Sequence, residues 1–241
     1  PHVGTDRLRT VVAGLRQRIV AAGGTVEFEA QVTDIILKDG ALSGLVVNGG
    51  RRIPAGVALW AVGHSARDTY EMLCRRGVAM TPKPFAVGVR IEHPQEMVDR
   101  AQYGRLAGHP MLGAADYALV FHDRAGGRTA YSFCMCPGGL VVAAASEAGG
   151  VVTNGMSLYD RASGLANSAL VVNVGREDCG GGPLAGVEFQ RHWERLAYAA
   201  GGGGFAAPVQ TVGDFLAGRT GRGAFLVPPS YRPGVRAANL A

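Results

Sequence analysis

The stretch VALWAVGHSARDTYEMLCRRG, residues 57–77, decides how the fold of this chain is interpreted. Residues 57–62 are an unbroken apolar run, which predicts a strand covered on both faces, and Gly63 ends that run. Ser65 then occupies a predicted helix N-cap, with Asp68 three residues later as in a capping box. The stretch therefore predicts a strand, a glycine turn and a helix, an order that places free N–H groups at the ligand-binding edge of an α/β sheet.

The predicted helix carries a cation in its first turn. Arg67 lies there beside free backbone N–H groups, which favours the binding of a phosphate or a carboxylate. Tyr70, Leu73 and Cys74 supply an apolar stripe, and Gly77 ends the helix. An ordinary strand-to-helix connection without a ligand is the alternative interpretation.

The residues before this stretch have the pattern of a helix followed by a meander. Residues 6–22 show apolar side chains at helical spacing, which predicts an amphipathic helix. Asp39-Gly40 and Asn48-Gly49 are turn sequences typical of tight hairpins. They separate three predicted antiparallel strands at residues 25–37, 41–47 and 53–62.

A second domain is predicted after Pro82 and Pro84, which interrupt the chain. Short apolar segments between glycine turns predict an antiparallel sheet from residues 85–91, 118–122, 129–135, 140–145, 151–153 and 167–174. Helices are predicted at residues 95–101, 187–200 and 208–216. The expected fold class therefore combines an α/β part, with its strand, turn and helix, and an α+β part with the antiparallel sheet.

The composition indicates a folded protein. The chain has 241 residues, of which 47% are hydrophobic and 18% charged, so it can bury a large core. The formal net charge is +5, but the basic residues are scattered, which argues against nucleic acid as a partner. No apolar run approaches the ~18 residues of a membrane span, and no signal peptide is recognisable. A cytoplasmic protein with reduced thiols and no membrane partner is expected.

Several motifs together resemble one family of flavoproteins. The P-x-x-G-T start, the helix, the double glycine and the meander are similar to the middle of the FAD-binding domain of glutathione-reductase-type flavoproteins. Longer motifs resemble, more narrowly, the FAD-dependent dehydrogenases called NAD(FAD)-utilising. They are GHSARDTYEML (63–73), KPFAVGVRIEHPQ (83–95), YSFCMCPGG (131–139), VVTNGMS (151–157), ANSALVV (166–172) and FQRHWE (189–194).

The resemblance implies a division of the chain and a cofactor. Residues 1–81 would be the middle of the FAD-binding domain, residues 82–228 an inserted substrate domain, and residues 229–241 the start of the return. FAD would transfer hydride or electrons to a small-molecule substrate, with NAD(P) as one candidate electron partner. The resemblance also implies that Gly63, His64, Ser65 and Arg67 lie near the cofactor and that Cys134, Cys136 and Asn154 face the substrate.

One part of the family pattern is missing. The G-x-G-x-x-G turn that receives the pyrophosphate does not occur in this sequence. The chain is therefore interpreted as an internal fragment without that turn and without the C-terminal flavin segment. We expect such a fragment not to hold FAD tightly, to lack activity alone, and to self-associate through apolar faces left uncovered.

Two cysteines form the sharpest local motif. On a regular strand Cys134 and Cys136 share one face, and residues 137–139 then turn the backbone and expose amides beside them. Such neighbours rarely meet disulfide geometry, and no second cysteine pair completes a zinc site, so free thiols without a metal are expected. Both can be buried structural thiols, or they can be catalytic groups that face the flavin or the substrate.

Polar residues elsewhere provide further candidates. Arg90 and Glu92 share a strand face, which predicts a salt bridge, and His93 is a candidate catalytic acid or base. Three candidate substrate-binding residues are predicted in glycine-rich loops around the sheet, together with Ser168: Asn154, Ser157 and Asn167. They can orient a substrate by hydrogen bonds, or they can satisfy the backbone of the turns themselves.

Two alternative functions remain open at this stage. Residues 63–67 resemble the G-x-S-x-G elbow of α/β-hydrolases, with Ser65 as nucleophile and Asp116 and His192 as later partners. Arg67 stands where that elbow needs glycine, and the predicted capping box explains Ser65 without nucleophilic chemistry. The other alternative is a binding module without catalytic activity.

Overall fold

The computed structural model describes residues 2–221 and 225–241, so Pro1, the first residue of the P-x-x-G-T motif, lies outside the described residues. The chain divides into two compact units. The larger unit contains Pro1–Val12, Pro84–Gly175 and Phe189–Ala241, and the smaller unit contains Ala13–Lys83 and Arg176–Glu188.

The described residues form helices and short strands. The helices are α1 (Thr5–Ala21), α2 (Arg67–Arg75), α3 (Gln95–Tyr103), α4 (Arg176–Cys179), α5 (Ala185–Ala200) and α6 (Val212–Leu216). The strands are β1 (Val32–Lys38), β2 (Ala41–Val47), β3 (Arg51–Pro54), β4 (Phe85–Pro94), β5 (Val120–Asp123), β6 (Arg128–Cys136), β7 (Gly139–Ala143), β8 (Thr153–Ser157), β9 (Leu165–Val174), β10 (Ala207–Val209) and β11 (Val235–Ala237). None of the described helices has the length and apolar content of a bilayer span.

The smaller unit contains the predicted meander. Strands β1, β2 and β3 pair antiparallel in chain order, with glycine turns between them, as their turn sequences predict. Helix α2 packs on β1, and Ile35, Met72 and Leu73 form a buried cluster there. The predicted apolar face of α2 therefore included Leu73 correctly, but it did not include Met72, which is also buried.

The apolar run at residues 57–62 is not a strand, which corrects the first expectation. The meander ends at Pro54, and the side chains of Val57 and Leu59 are 89% and 94% exposed. A strand needs a neighbour for its N–H and C=O groups, and no described strand pairs with this run. Residues 57–62 thus have the composition of a buried strand, but no described element packs over the exposed side chains of Val57 and Leu59.

The start of α2 also differs from the prediction. Ala66 occupies the N-cap and makes no side-chain cap bond, so the capping box of Ser65 and Asp68 is wrong. The Oγ atom of Ser65 lies 3.2 Å from Nε2 of His64. Asp68 instead accepts a 2.6 Å hydrogen bond from the side-chain amide of Gln31, so its carboxylate is used outside the helix.

The larger unit is built on a four-stranded antiparallel sheet in the order β4-β9-β6-β5. Strands β7 and β8 form a separate hairpin, and β10 pairs parallel with β11. Val141, Val151, Ala207 and Tyr231 make a buried cluster that joins the hairpin to the C-terminal strands. The mixed α/β fold with antiparallel sheets was therefore predicted correctly in outline.

Two local predictions for this unit need correction. Asn154 and Ser157 lie in strand β8 rather than in a glycine-rich loop, and Asn167 lies within β9, which begins at Leu165. Pro208 lies in β10, where its missing N–H is tolerated at the edge of a two-stranded sheet. The last helix starts only after Thr211, whose side chain accepts a 3.1 Å bond from the Asp214 amide.

A surface ion pair in the smaller unit predicts a pH effect. The Arg76 guanidinium donates a 2.6 Å hydrogen bond to Asp34 Oδ1, and with the Ile35 amide it lowers the pKa of Asp34 from 3.8 to about 2. A carboxylate with a lowered pKa stabilises the fold above its unfolded pKa, and this contribution is lost as the pH falls through the folded value. We expect Asp34→Asn to destabilise the protein at about pH 5 and to have a much smaller effect near pH 2.

Chemical denaturation at both pH values checks this expectation. The effect at about pH 5 should be small because the Asp34 and Arg76 side chains are 30% and 49% exposed. Arg100→Gln breaks a more exposed ion pair on α3 and serves as the control. An Asp34→Asn effect of equal size at both pH values would contradict the assignment.

Candidate functional site

A β-bulge in β6 sets the position of the two cysteines. Phe133 pairs with Ala169 and Cys136 pairs with Asn167, so β6 uses one residue more than β9 between these pairs. Cys134 has a φ of 45°, which is unusual for a residue with a side chain. The extra residue places Cys136 opposite Asn167 and interrupts the regular alternation on which the expected shared face of the two thiols rested.

Arg90 on β4 is the centre of the polar cluster around Asn167, which we call the Arg90 cluster. Its Nη1 donates to Asn167 Oδ1 at 2.7 Å and to the Cys134 carbonyl at 3.5 Å. Its Nη2 donates to Asn154 Oδ1 at 3.4 Å. The cluster therefore joins Arg90, Asn154, Asn167, Cys134 and Cys136, four of which the sequence had indicated as site residues.

The predicted salt bridge between Arg90 and Glu92 does not form. The Glu92 carboxylate instead accepts hydrogen bonds from the backbone amide and the hydroxyl of Ser230, the former at 3.0 Å. Ser230 in turn accepts a 2.8 Å bond from the Val141 amide. Glu92 thus anchors the C-terminal segment, and Arg90 binds the side-chain amides of Asn154 and Asn167 instead.

Asn167 lies at the base of the Arg90 cluster with a fully buried side chain. Its Oδ1 accepts from Arg90, which fixes the orientation of the amide group. Its Nδ2 has no hydrogen-bond partner among the described residues. Gly155 on β8 permits this approach, because a Cβ there would lie 2.2 Å from Asn167 Oδ1 and 2.5 Å from Arg90 Nη1.

The Cys136 thiol belongs to the same cluster. Its Sγ would lie 2.7 Å from a Cβ at Gly155, and it donates a 3.3 Å hydrogen bond to the Cys134 carbonyl. Burial raises the pKa of the Cys136 thiol, and the nearby Arg90 guanidinium opposes that effect. The Cys136 side chain is partly buried, whereas the Cys134 side chain is exposed.

The turn after β6 is held from inside the protein. Gln95 Oε1 accepts a 2.9 Å hydrogen bond from the Gly138 amide, and the Ser157 hydroxyl donates at 2.8 Å to the Pro137 carbonyl. Both side chains are buried. The Gly138 amide, expected to be exposed for a ligand, is thus already used, and the hydroxyl of Ser157 serves the turn.

His93 lies on the other face of the sheet from Asn167. The register pairs His93 with Ala166, one residue before Asn167, and successive residues of a strand face opposite sides. The His93 side chain is buried, and its Nε2 is 2.9 Å from the hydroxyl of Tyr117. Burial raises the pKa of Tyr117, and a hydrogen bond with Ser168 opposes it. His93 therefore belongs to a second polar network, apart from the Arg90 cluster.

The predicted cofactor residues all lie in the smaller unit. Gly63, His64 and Ser65 are exposed, Gly63 has a φ of 74°, and a Cβ there would meet nothing within 4 Å. Tyr70 donates a 2.8 Å hydrogen bond to the Gly63 carbonyl and fixes the turn. Arg67 is only 3% exposed, so its guanidinium is not presented to solvent as an anion clamp at this turn would require.

The structure also bears on the hydrolase and metal interpretations. A nucleophile elbow needs a strand before its serine, and residues 57–62 do not form one. Nowhere in residues 2–221 and 225–241 do three or more histidine, cysteine or acidic side chains converge as a metal site requires. All four cysteines are unpaired with one another in the described structure.

Sequence reasoning missed some important residues and the role of others. Arg90 was considered only as a salt-bridge partner, and Gly155, Gln95 and Tyr117 were not predicted as site residues. The spacing of Arg90 and Glu92 predicted their shared face but not their partners, because those partners are far away in the sequence. The Asn154-Gly155 pair was the available signal, since a glycine beside a polar residue in a strand marks a close approach.

Two comparisons with known proteins add to this geometry. The family model described as FAD-dependent protein, C-terminal domain-like matches residues 84–241, which contain the whole Arg90 cluster. An uncharacterized protein from Clostridium beijerinckii is 53% identical over 234 residues, which is 97% of this chain and 44% of that relative. The chain thus spans less than half the length of this curated relative.

Proposed function

Because the chain belongs to the family of FAD-dependent proteins that share this C-terminal domain-like region, we propose that it is part of a flavin-dependent oxidoreductase acting on a small molecule. The observation that carries the proposal is the Arg90 cluster, where a guanidinium, two amides and a thiol from four strands converge on one face. Such a convergence of a few polar groups is typical of a substrate site.

The exposed turn at residues 63–65 of the smaller unit is a better position for FAD binding than the buried side chain of Arg67. Gly63 leaves open space for close approach, and His64 and Ser65 carry exposed polar side chains that can bind the cofactor. The cofactor residues we propose are therefore Gly63, His64 and Ser65. When bound, FAD supplies hydride or electron transfer, and the protein supplies binding and orientation. No observation favours NAD(P) over another electron partner.

The larger unit supplies the groups that would hold the substrate. Arg90 and Asn154 present polar groups at the cluster, and Asn167 fixes the guanidinium from below. Cys134 and Cys136 remain proposed catalytic thiols, since one is exposed and the other contacts the cluster. His93, on the other face, is better explained as part of the buried network with Tyr117.

The test uses the long relative from Clostridium beijerinckii, purified beside this chain. We expect the relative to carry flavin, seen in its visible spectrum, and to show flavin bleaching under anaerobic conditions with a substrate from a panel of small molecules. The residue aligned with Arg90, changed to Gln, should raise KM more than it lowers flavin content. A relative that contains no flavin and takes up none when titrated would contradict the proposal.

The same experiment distinguishes an enzyme from a binding module without catalytic activity. Flavin that binds stoichiometrically and is bleached by dithionite, but by no molecule of the panel, would support a module that only carries the cofactor. Flavin reduced by a substrate at a rate that saturates would support the oxidoreductase.

A further inference from the structure

The charge of Arg90 is not neutralised by any described residue. Its oxygen acceptors are the side chains of Asn167 and Asn154 and the backbone carbonyl of Cys134, it also hydrogen-bonds the Cys136 thiol, and none of these groups is a carboxylate. None of the ion pairs found in residues 2–221 and 225–241 involves Arg90. Because a partly buried cation without a counter-ion is unfavourable, this position favours an anion.

The groups of the cluster that lack partners are all donors. The Arg90 guanidinium has five N–H groups, and its described acceptors are three oxygens and the Cys136 thiol, so its donors outnumber its acceptors. The buried Nδ2 of Asn167 is a further donor without a partner there. Donors and a positive charge select for an acceptor with negative charge, and a carboxylate accepts two parallel N–H bonds from one arginine.

The same observations favour a carboxylate over a phosphate. Phosphate sites usually combine several backbone amides at a helix start or in a glycine-rich turn. Here the Gly138 amide, in the turn that follows the cysteines, already binds Gln95, and the cluster contains a single cation. One charge and a small set of side-chain donors match a monoanion.

We propose that Arg90, held by Asn167 and Asn154, binds the carboxylate group of a small-molecule ligand. This inference rests on the proposed function in one respect, since it names the substrate of that oxidoreductase as a carboxylic acid. The anion site itself needs only the larger unit and can be tested without flavin.

The exposed thiol of Cys134 provides the reporter, because its own carbonyl lies 3.5 Å from Arg90 Nη1. The chain is alkylated with iodoacetate, which carries a carboxylate, and with iodoacetamide, which is its neutral counterpart. In both reactions an S–C bond forms and iodide leaves, so the ratio of the two rates isolates the effect of charge. Mass spectrometry follows Cys134, with Cys179 in the smaller unit as the internal standard.

We expect Arg90→Gln to lower the iodoacetate-to-iodoacetamide ratio at Cys134 by roughly threefold to tenfold at low salt. Asn167→Asp should do the same, because it supplies a carboxylate to Arg90 with almost no change in shape. About 1 M NaCl should remove most of the difference between wild type and variants, since it shortens the screening length to about 3 Å. The ratio at Cys179 should not change.

Arg105→Gln is the matched control, since it removes one exposed positive charge from the same unit outside the cluster. It should leave the ratio at Cys134 unchanged. Circular dichroism verifies folding, and if Arg90→Gln does not fold, Asn167→Asp alone decides. A ratio that is the same in wild type and in the folded variants would overturn the proposal.

Protection experiments identify the ligand class. Sodium propionate, a monoanion, should slow iodoacetamide alkylation of Cys134 in the wild type, whereas the neutral propionamide should not. Protection by inorganic phosphate at lower concentration than propionate would overturn the carboxylate assignment in favour of a phosphate. Because no FAD is added, a failure of the proposed flavin function would leave these results unchanged, and a failure here would leave the flavin result unchanged.

Discussion

We expect Gly138→Ala to lower the free energy of unfolding by about 3–5 kcal/mol. Gly138 has a φ of 56°, a conformation that costs alanine about 1–2 kcal/mol. A Cβ at this position would also lie 1.7 Å from the Arg161 carbonyl oxygen, and that atom belongs to the backbone and cannot rotate away. Urea denaturation of both proteins measures the difference.

Gly127→Ala separates the two causes of this loss. Gly127 has a φ of 66°, but a Cβ there would meet nothing within 4 Å. It should therefore show only the conformational cost of about 1–2 kcal/mol. Equal losses for the two variants would contradict the close approach of the β6–β7 turn to Arg161.

Leu73→Ala should cost about 2–5 kcal/mol, whereas Leu59→Ala should change stability by less than about 0.5 kcal/mol. The two substitutions remove the same atoms from the same unit. Leu73 is 8% exposed and packs with Ile35 and Met72, while Leu59 is 94% exposed. Removing buried methyl groups loses transfer free energy and leaves a cavity, and neither applies to a solvated side chain.

Thermal or urea denaturation of the two variants provides the measurement. A large loss for Leu59→Ala would mean that residues 57–62 are buried in solution, for instance by self-association of the chain. Repeating the measurement at several protein concentrations distinguishes that case, because stability gained from association depends on concentration.

The parts of the fold that follow from local chemistry were predictable. The meander of β1, β2 and β3 has a glycine turn at each end of β2, and turn residues of this kind fix a hairpin regardless of the rest of the protein. The apolar spacing of α1 likewise predicts a helix. Residues 57–62 failed because an apolar run indicates that a segment suits a covered position and does not show whether a neighbour covers it.

The candidate site was less predictable because its partners come from distant strands. Cys134, Cys136 and Asn154 were selected from motifs, but their meeting at Arg90 depends on the register of β4, β9 and β6. A cysteine with positive φ leaves no trace in the sequence as a glycine does, so the bulge could not be predicted. His93 was selected for its chemistry alone, and the alternation of β4 places it on the other face.

The bulge in β6 also determines how relatives should be aligned in this region. Cys136 is positioned by its pairing with Asn167, whereas Cys134 lies within the segment that contains the inserted residue. A relative that lacks one residue between Phe133 and Cys136 would have a regular strand and would still place its last strand residue opposite Asn167. A gap opened in the middle of C-M-C would then be correct, and the two cysteines can be gained or lost independently of each other.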